Sequence, residues 1–353
     1  MKAKCYAMGF YFNDDFRIHI NLSNYAWNII YEDMFNFCRD ELNSVSGFIN
    51  DIILNFYQDA NASLQIRCDE ISSNYEELLS EVNLNTKVDP SILYSVIDFA
   101  TTSFKSKVIE ELNTYTKDSH KKIKLRNATA KMLQDSQEDS YYDGNAGSYI
   151  KALLEEYTRL PFIKREAIFC KQHFEIINNA IHNRKQLRIT TRTGKEFEAI
   201  PFKIMSDRLG IFNYLVAIDS TSRQPVAYRI SKVNLKIISK NGKIDKHYEN
   251  IINQKLLESD VSFLTKDNIR AVIKLDKYGI QKYNSQLHMR PSYTEILEGD
   301  RYVFNCSEDQ IKFYFIKFGS SAVIEEPIKL AKSVRNFYKY ALDRYQKTHN
   351  FDD

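Results

Sequence analysis

The sequence predicts an α+β protein in three parts: a helical N-terminal region that opens with a strand, a central small β-barrel, and a C-terminal α+β extension. Short segments that alternate apolar and polar residues occur between residues 187 and 238 and between 269 and 326, and this alternation is typical of half-buried strands. Apolar residues at helical spacing dominate much of residues 25–160. A chain of 353 residues is longer than one ordinary core supports. We therefore expect three domains, at residues 1–160, 161–245 and 246–353.

The central region holds the surplus positive charge of the chain. The whole sequence has a formal net charge of +3, but residues 184–240 contain twelve Lys or Arg residues against four Asp or Glu residues, a local charge of +8. A basic segment in an otherwise acidic protein is an electrostatic footprint for polyanions such as nucleic acid. A lysine-rich surface that contacts only solvent explains this segment equally well when it is taken alone.

Four short strands are predicted in the central region, at residues 187–192, 197–204, 211–219 and 226–238. Gly194 marks the first turn, because glycine accepts a positive φ without steric cost. Pro201 fits a bend or an edge better than a central ladder position. Several short strands joined by turns, too few for a sandwich, indicate a small barrel.

The residues Asn-Tyr-Leu-Val at 213–216, Tyr-Arg-Ile-Ser-Lys-Val at 228–233 and Ile-Pro at 200–201 resemble the motifs of the WYL-domain family. In that family a Trp stands at the position of Asn213 and an Arg at the position of Lys232. The resemblance implies an SH3/Sm-like barrel that binds nucleic acid or a nucleotide-like ligand. An amphipathic helix at residues 164–184 leads into the barrel, as it does in WYL proteins.

Single-stranded nucleic acid is held by cations that follow the phosphates and by aromatic rings on which bases stack. The central region offers both, with Tyr214 at the central motif position as a stacking platform. The structural alternatives are that Tyr214 only fills the barrel and that Arg229 only braces a loop. The candidate cations of the barrel are Arg188, Arg192, Arg208, Arg229 and Lys232.

The N-terminal region begins with a predicted strand at residues 16–22, in which Arg17, His19 and Asn21 point outward. Two helices follow, at residues 25–39 and 46–57. A strand followed by two helices resembles the ribbon-helix-helix family, in which two such units pair their strands and the outward residues of the ribbon enter a DNA major groove.

A second unit of this kind is predicted within the same chain. Residues 122–126 repeat the alternation, and the segment at 148–154 echoes the segment at 47–53. We therefore hypothesise an internal pseudo-dimer of residues 16–58 and 121–158, in which the two strands pair within one chain. Chance recurrence of short alternating segments is the alternative. The outward residues of the second strand are Lys122, Lys124 and Arg126, and the inward residues are Ile123 and Leu125.

The remaining segments are predicted to be structural. Ile92, Val96 and Phe99 lie at helical spacing and are expected to pack in a core. The C-terminal region is predicted to hold strands at residues 269–275, 293–297, 301–306 and 322–326, helices at 278–284 and 328–346, and either a helix or a short strand at 310–318. It resembles the extension found beside WYL domains, which implies a small ferredoxin-like fold with a dimerisation or regulatory role.

No enzyme motif is present: the sequence lacks a phosphate-binding Gly-rich loop, a His-Glu-x-x-His motif and a Gly-x-Ser-x-Gly elbow. The five cysteines are scattered, which argues against a disulfide framework and against a zinc site. We expect a protein without catalytic residues, metal or cofactor. The sequence has no leader and no membrane-spanning run, so a reducing cytoplasm is the simplest location.

The whole arrangement resembles the WYL accessory proteins of RNA-targeting type VI CRISPR systems. That resemblance implies a homodimer that binds single-stranded RNA and enhances RNA cleavage by the effector nuclease without cleaving anything itself. The alternative is a transcription regulator whose ribbon reads duplex DNA and whose barrel senses a nucleic-acid or nucleotide ligand. A scaffold that bridges proteins is a third class, and it would bind neither nucleic acid.

Overall fold

The computed structural model describes residues 17–38, 44–83, 89–114, 120–135, 146–265 and 267–349. The chain divides into two compact units, residues 1–171 and 172–353. The described residues form a mixed α+β protein with three antiparallel sheets. Phe16, the first residue of the predicted N-terminal strand, lies outside the described residues.

The first unit contains two strands among helices. Its elements are β1 (Arg17–Asn21), α1 (Asn24–Phe37), α2 (Val45–Asn83), α3 (Pro90–Thr114), β2 (His120–Lys124), α4 (Asn127–Asp135), α5 (Ala146–Arg159) and α6 (Phe162–Phe169). The helix predicted at residues 46–57 extends to Asn83, which makes α2 39 residues long. The expectation that Ile92, Val96 and Phe99 pack in a core is wrong, because their side chains are 55%, 37% and 74% exposed.

β1 and β2 pair in an antiparallel two-stranded ribbon, so the predicted pairing of these strands within one chain is confirmed. The register sets Arg17 opposite Lys124 and His19 opposite Lys122. Ile20, Ile123 and Leu125 are buried, so one face of the ribbon covers the helical core and the other faces solvent.

The segments that echo each other in sequence are buried at matching positions. Phe48, Ile49, Ile52 and Ile53 of α2 and Tyr149, Ile150, Leu153 and Leu154 of α5 all belong to the same core, and each is at most 3% exposed. The apolar residues therefore recur at i, i+1, i+4 and i+5 in both helices, which is the stripe of a core-facing helix.

Each half of the unit also caps a helix of the other half. The backbone N–H of Ser23, the residue before α1, donates to Oε1 of Glu155 in α5 at 2.9 Å. The backbone N–H of Arg126, the residue before α4, donates to Oδ1 of Asn50 in α2 at 2.8 Å. These exchanged bonds satisfy backbone donors at the start of a helix and hold the two halves together.

The second unit begins at residue 172, within the helix that follows α6. The predicted helix at residues 164–184 is two helices, because α6 ends at Phe169, with Cys170 as its C-cap, and a separate helix, α7 (Lys171–His182), follows. The remaining elements are β3 (Lys185–Thr191), β4 (Glu196–Ser206), β5 (Asn213–Asp219), β6 (Pro225–Arg229), β7 (Val233–Asn241), α8 (Lys246–Glu258), β8 (Asn268–Leu275), α9 (Lys277–Ser285), β9 (Tyr293–Leu297), β10 (Arg301–Ser307), α10 (Glu308–Phe315), β11 (Ala322–Glu326) and α11 (Ile328–His349).

The closed barrel predicted for the central region is corrected to an open five-stranded antiparallel sheet with the order β6-β5-β4-β3-β7, here called the central sheet. Among the described residues no ladder joins its edges, β6 and β7. The predicted fourth strand is broken by a 3₁₀ turn at Ile230–Lys232. β6 before the turn pairs with β5, whereas β7 after it pairs with β3, so the turn carries the chain from one edge to the other.

The C-terminal elements follow the sequence prediction closely. They run strand, helix, strand, strand, helix, strand and helix, and the four strands form an antiparallel sheet with the order β11-β8-β10-β9. Gly299 has φ 71° in the turn between β9 and β10, a conformation that favours glycine. Phe304, Phe315 and Leu330 lie in the core between this sheet and its helices.

Candidate nucleic-acid interface

The solvent face of the ribbon carries cations from both strands. Arg17 and His19 of β1 and Lys122 and Lys124 of β2 are all exposed, and the register makes them two cross-strand pairs. The ten residues of the ribbon include four Lys or Arg residues and no Asp or Glu residue. Arg17 and Lys124 are like charges held opposite one another, which by itself disfavours the ribbon, so this face suits a polyanion.

The ends of the ribbon differ from its centre. Asn21 is half-buried and its Oδ1 atom is buried, so it is less accessible than the sequence predicts. Arg126 is exposed as predicted, but its guanidinium forms an ion pair with Asp51 of α2. His120, which lies opposite Asn21, is exposed, and the sequence reasoning did not single it out.

Arg188 lies in an acidic part of the central sheet. Its Nη2 atom is 3.3 Å from Oε1 of Glu198, its cross-strand neighbour in β4. Glu198 also accepts a hydrogen bond from Lys240. A shallow pocket of about 530 Å³ adjoins these residues, and it is lined by Arg188, Glu196, Phe197, Glu198, Asp219 and Thr221. Three carboxylates beside one guanidinium make this pocket a poor site for phosphate.

The pKa of Glu198 is lowered from its ordinary value, chiefly by the hydrogen bond from Lys240 and also by the hydrogen bond from Arg188. The carboxylate is therefore charged at neutral pH and competes with any phosphate for both cations. All three groups are partly exposed, so each of these ion pairs contributes little to stability.

Arg229 stacks on an aromatic ring. Its Cζ atom is 3.7 Å from the ring centroid of Phe212, within the range of a cation–π contact. Tyr214 lies opposite Arg229 in the β5–β6 register, but its side chain is 8% exposed and packs among buried apolar residues. Tyr214 is therefore a core residue in this structure, and Phe212 is the ring that accompanies the cation.

Arg208 lies in the loop between β4 and β5 and is held by the C-terminal elements. Its Nη2 atom donates to the carbonyl oxygen of Leu257 and its Nη1 atom to Oγ of Ser292, both at 3.1 Å. Its backbone N–H donates to Oδ2 of Asp260 at 3.1 Å. Through these three contacts Arg208 holds the β4–β5 loop against the C-terminal elements.

The six residues predicted for the central region do not form one cluster. Arg192 is exposed in the β3–β4 turn, and Lys232 is half-buried in the 3₁₀ turn. Followed from strand to strand, the cross-strand pairing of Arg188 meets β5 near Asp219. The cross-strand pairing of Arg229 meets β5 at Tyr214. Five residues of strand separate these two positions, a distance of roughly 17 Å.

Two further kinds of site are absent from the described residues. No group of three or more His, Cys, Asp or Glu side chains in that part of the chain is arranged to hold a metal ion. None of the described helices combines the length and the apolar character needed to cross a membrane.

No protein-family model matches the sequence, and no curated protein matches it. A crystal structure described as that of a CRISPR Cas-related protein is 20% identical to this chain and covers 96% of both chains, with a TM-score of 0.68. The two proteins share a fold. The structure of the proteasome accessory factor PafBC of Arthrobacter aurescens covers 46% of this chain and 26% of its own length, at 19% identity and a TM-score of 0.23.

Proposed function

We propose that this protein is a non-enzymatic accessory of a CRISPR system, which binds single-stranded RNA and enhances RNA cleavage by the effector nuclease. The likeness to a CRISPR Cas-related protein over 96% of both chains, at a TM-score of 0.68, is the observation that carries this proposal. The WYL-like motifs of the central sheet support it, since they suggest an RNA surface beside Arg229.

The finer fold assignments belong to the same proposal. Two strand–helix–helix halves that share a ribbon and exchange caps support an internal ribbon-helix-helix pseudo-dimer. The order β11-β8-β10-β9, with its alternating helices, supports a ferredoxin-like C-terminal extension. The bent path through the 3₁₀ turn supports an SH3/Sm-like relationship for the central sheet.

The surface that fits single-stranded RNA best in the second unit is the Arg229–Phe212 stack. Unpaired bases are bound by stacking on aromatic rings and on guanidinium planes, and this stack holds both groups. Arg192 and Lys232 supply further positive charge on turns of the same sheet. Arg188 contributes less, because Glu198 competes for it.

A binding and cleavage assay tests the proposal. The full chain should bind a labelled oligouridine with an affinity that falls as salt rises, and it should raise the rate of RNA cleavage by a type VI effector complex. Arg229→Ala with Phe212→Leu should reduce both effects. Arg335→Ala, which removes an exposed arginine of α11, should change neither.

Two failures of this test have different meanings. If the full chain neither binds RNA nor stimulates the effector, the proposed function is wrong. If it does both and the Arg229 and Phe212 variant behaves like the wild type, the function stands and the assigned surface is wrong.

The ribbon favours a second candidate, a regulator that binds duplex DNA. An antiparallel ribbon fits the major groove of DNA, and its solvent face here carries four cationic or imidazole side chains in two pairs. Tighter binding of duplex DNA than of single-stranded RNA at matched salt, lost on neutralising Arg17 and Lys122, would favour this candidate.

A further inference from the structure

Tyr31 and Phe35 form an exposed aromatic pair on α1. Their side chains are 37% and 83% exposed, and a spacing of four residues puts them on the same face of the helix. Phe35 therefore contributes little to the core of the unit, and the exposed parts of both rings leave flat apolar surface available to a ligand.

A ribbon cation adjoins this pair. Nζ of Lys121 in β2 lies 4.2 Å from the ring centroid of Tyr31 and 4.5 Å from that of Trp27. The rings of Trp27 and Tyr31 are 6.2 Å apart. Trp27 is only 3% exposed, so the outer end of this row of aromatic groups, from Tyr31 to Phe35, is the part that a ligand can reach.

Lys121 is the basic side chain that lies beside the aromatic pair. Lys121 and Lys122 are consecutive in β2, so their side chains leave opposite faces of the ribbon. Neither forms an ion pair within the described part of the chain. Glu32 of α1 is the exposed carboxylate nearest in sequence to Tyr31, and the ribbon itself contributes no carboxylate.

A ligand that matches this surface must combine negative charge with accessible aromatic faces. A purely apolar partner would leave Lys121 without a counterion. A nucleic-acid duplex would provide a phosphate for Lys121 but keeps the faces of its bases stacked inside. Single-stranded nucleic acid provides both features, because its phosphates bind cations and its bases stack on aromatic side chains.

We propose that Tyr31, Phe35 and Lys121 form a second binding site for single-stranded RNA, in the N-terminal unit. Bases stack on the two exposed rings, and a phosphate contacts Lys121. This inference rests on the proposed function and adds to it a site outside the WYL-like region. Two sites in one chain raise the effective concentration of each for a long strand.

Aromatic truncation tests the site. Tyr31→Ala with Phe35→Ala in the full chain should weaken binding of a labelled oligouridine at least about fivefold, the lower end of what base–aromatic stacking contributes. Binding of a DNA duplex should stay unchanged, since it depends on the cations. Two controls are Tyr25→Ala, an aromatic residue of α1 that is 62% exposed, and the pair Tyr340→Ala and Tyr345→Ala on α11, which are 66% and 65% exposed.

Trp27 supplies an independent readout, because it is the single tryptophan of the chain. Oligouridine that binds Lys121 should change the emission of Trp27, and the change should disappear in Lys121→Met, which keeps the apolar stem but removes the charge. The signal needs no label on the RNA. It also reports whether the truncated variant keeps its fold, since its emission without RNA should remain that of a buried ring.

Four results overturn the site. These are unchanged oligouridine affinity in the double variant, an equal loss of affinity for duplex DNA, an equal loss in the controls, and no change in Trp27 emission when the RNA is bound. If the wild-type chain binds no single-stranded RNA, this site and the proposed function both fail. If the wild-type chain binds oligouridine and the double variant binds it with the same affinity, the proposed site is wrong and the proposed function stands.

Discussion

Arg188 and Glu198 face each other across β3 and β4, with 3.3 Å between Nη2 and Oε1. The same carboxylate accepts a hydrogen bond from Lys240. One acidic side chain thus engages two of the basic side chains that give residues 184–240 their charge. The positive charge counted in the sequence is therefore partly neutralised at the surface of the central sheet.

Glu198→Gln should strengthen binding of single-stranded RNA if the central sheet is an RNA surface. The substitution removes one negative charge and frees Arg188 and Lys240 for phosphates. Titration of a labelled oligouridine at several salt concentrations measures the effect. Glu295→Gln is the matched control, because it removes an exposed carboxylate of β9 without freeing the same cations. An equal gain of RNA affinity in both variants would mean that the change in net charge, and not the release of Arg188 and Lys240, causes the stronger binding.

The pH dependence of stability follows from the lowered pKa of Glu198, whose main cause is the hydrogen bond from Lys240. A carboxyl group with a folded-state pKa below its unfolded value stabilises the fold above the unfolded pKa, and that stabilisation is lost as the pH falls through the folded pKa. Wild type and Glu198→Gln should therefore differ in stability near about pH 7 and converge as the pH falls below the ordinary pKa of a glutamic acid, about 4.3, and on through the lowered folded-state pKa. Urea unfolding at several pH values measures this, and a difference that persists at the acid end would contradict it.

The sequence was informative where alternation and helical spacing report burial directly. The ribbon was predicted because one face of each strand is apolar, and burial of Ile20 and Ile123 shows why that pattern exists. Tyr214 could not be assigned in this way. β5 is buried at six of its seven positions, so it has no alternation from which the direction of a side chain can be read.

Long-range partners account for the other differences. Arg208 is held by Leu257 and Ser292, 49 and 84 residues away, and nothing local indicates such contacts. Lys121 was missed although a signal existed. It is a lysine at an inward position of an alternating strand, opposite the buried Ile20, and such a charge needs a partner, which here is the pair of rings of Trp27 and Tyr31.

Neutralising the ribbon should reduce the salt dependence of nucleic-acid binding. Each cation that contacts a phosphate of a single strand contributes about 0.7 to the slope of log affinity against log salt. Arg17→Gln with Lys122→Gln should therefore lower the slope by about 1 to 1.5. Arg335→Gln with Lys339→Gln on α11 removes the same charge elsewhere. An identical slope in both double variants would mean that the ribbon does not contact phosphates.

Arg208→Ala should lower stability and leave RNA affinity unchanged. The substitution removes the hydrogen bonds to Leu257 and Ser292, which together contribute about 1 kcal/mol at an exposed position. Urea unfolding and RNA titration of the same variant measure the two quantities, with Arg335→Ala as the control. A loss of RNA affinity at unchanged stability would restore Arg208 to the role that the sequence predicts.

Asp33→Ala should destabilise the first unit by about 3–5 kcal/mol, because it leaves a buried guanidinium without its counterion. Arg165 is 6% exposed, and its Nε and Nη2 atoms donate to the fully buried Asp33 carboxylate at 2.6 and 3.0 Å. The hydroxyl of Tyr157 donates to the same carboxylate at 2.8 Å. This cluster joins α1 to α5 and α6, so its loss should loosen all three helices.

The double variant Asp33→Leu with Arg165→Met separates pairing from packing. It removes both charges and keeps apolar volume, so it should be markedly less destabilised than Asp33→Ala. Urea unfolding followed by the emission of Trp27 measures this for the first unit alone, because Trp27 and Asp33 lie on the same helix and the chain has no other tryptophan. Equal destabilisation in the single and double variants would mean that shape, and not the buried charge pair, determines the cost.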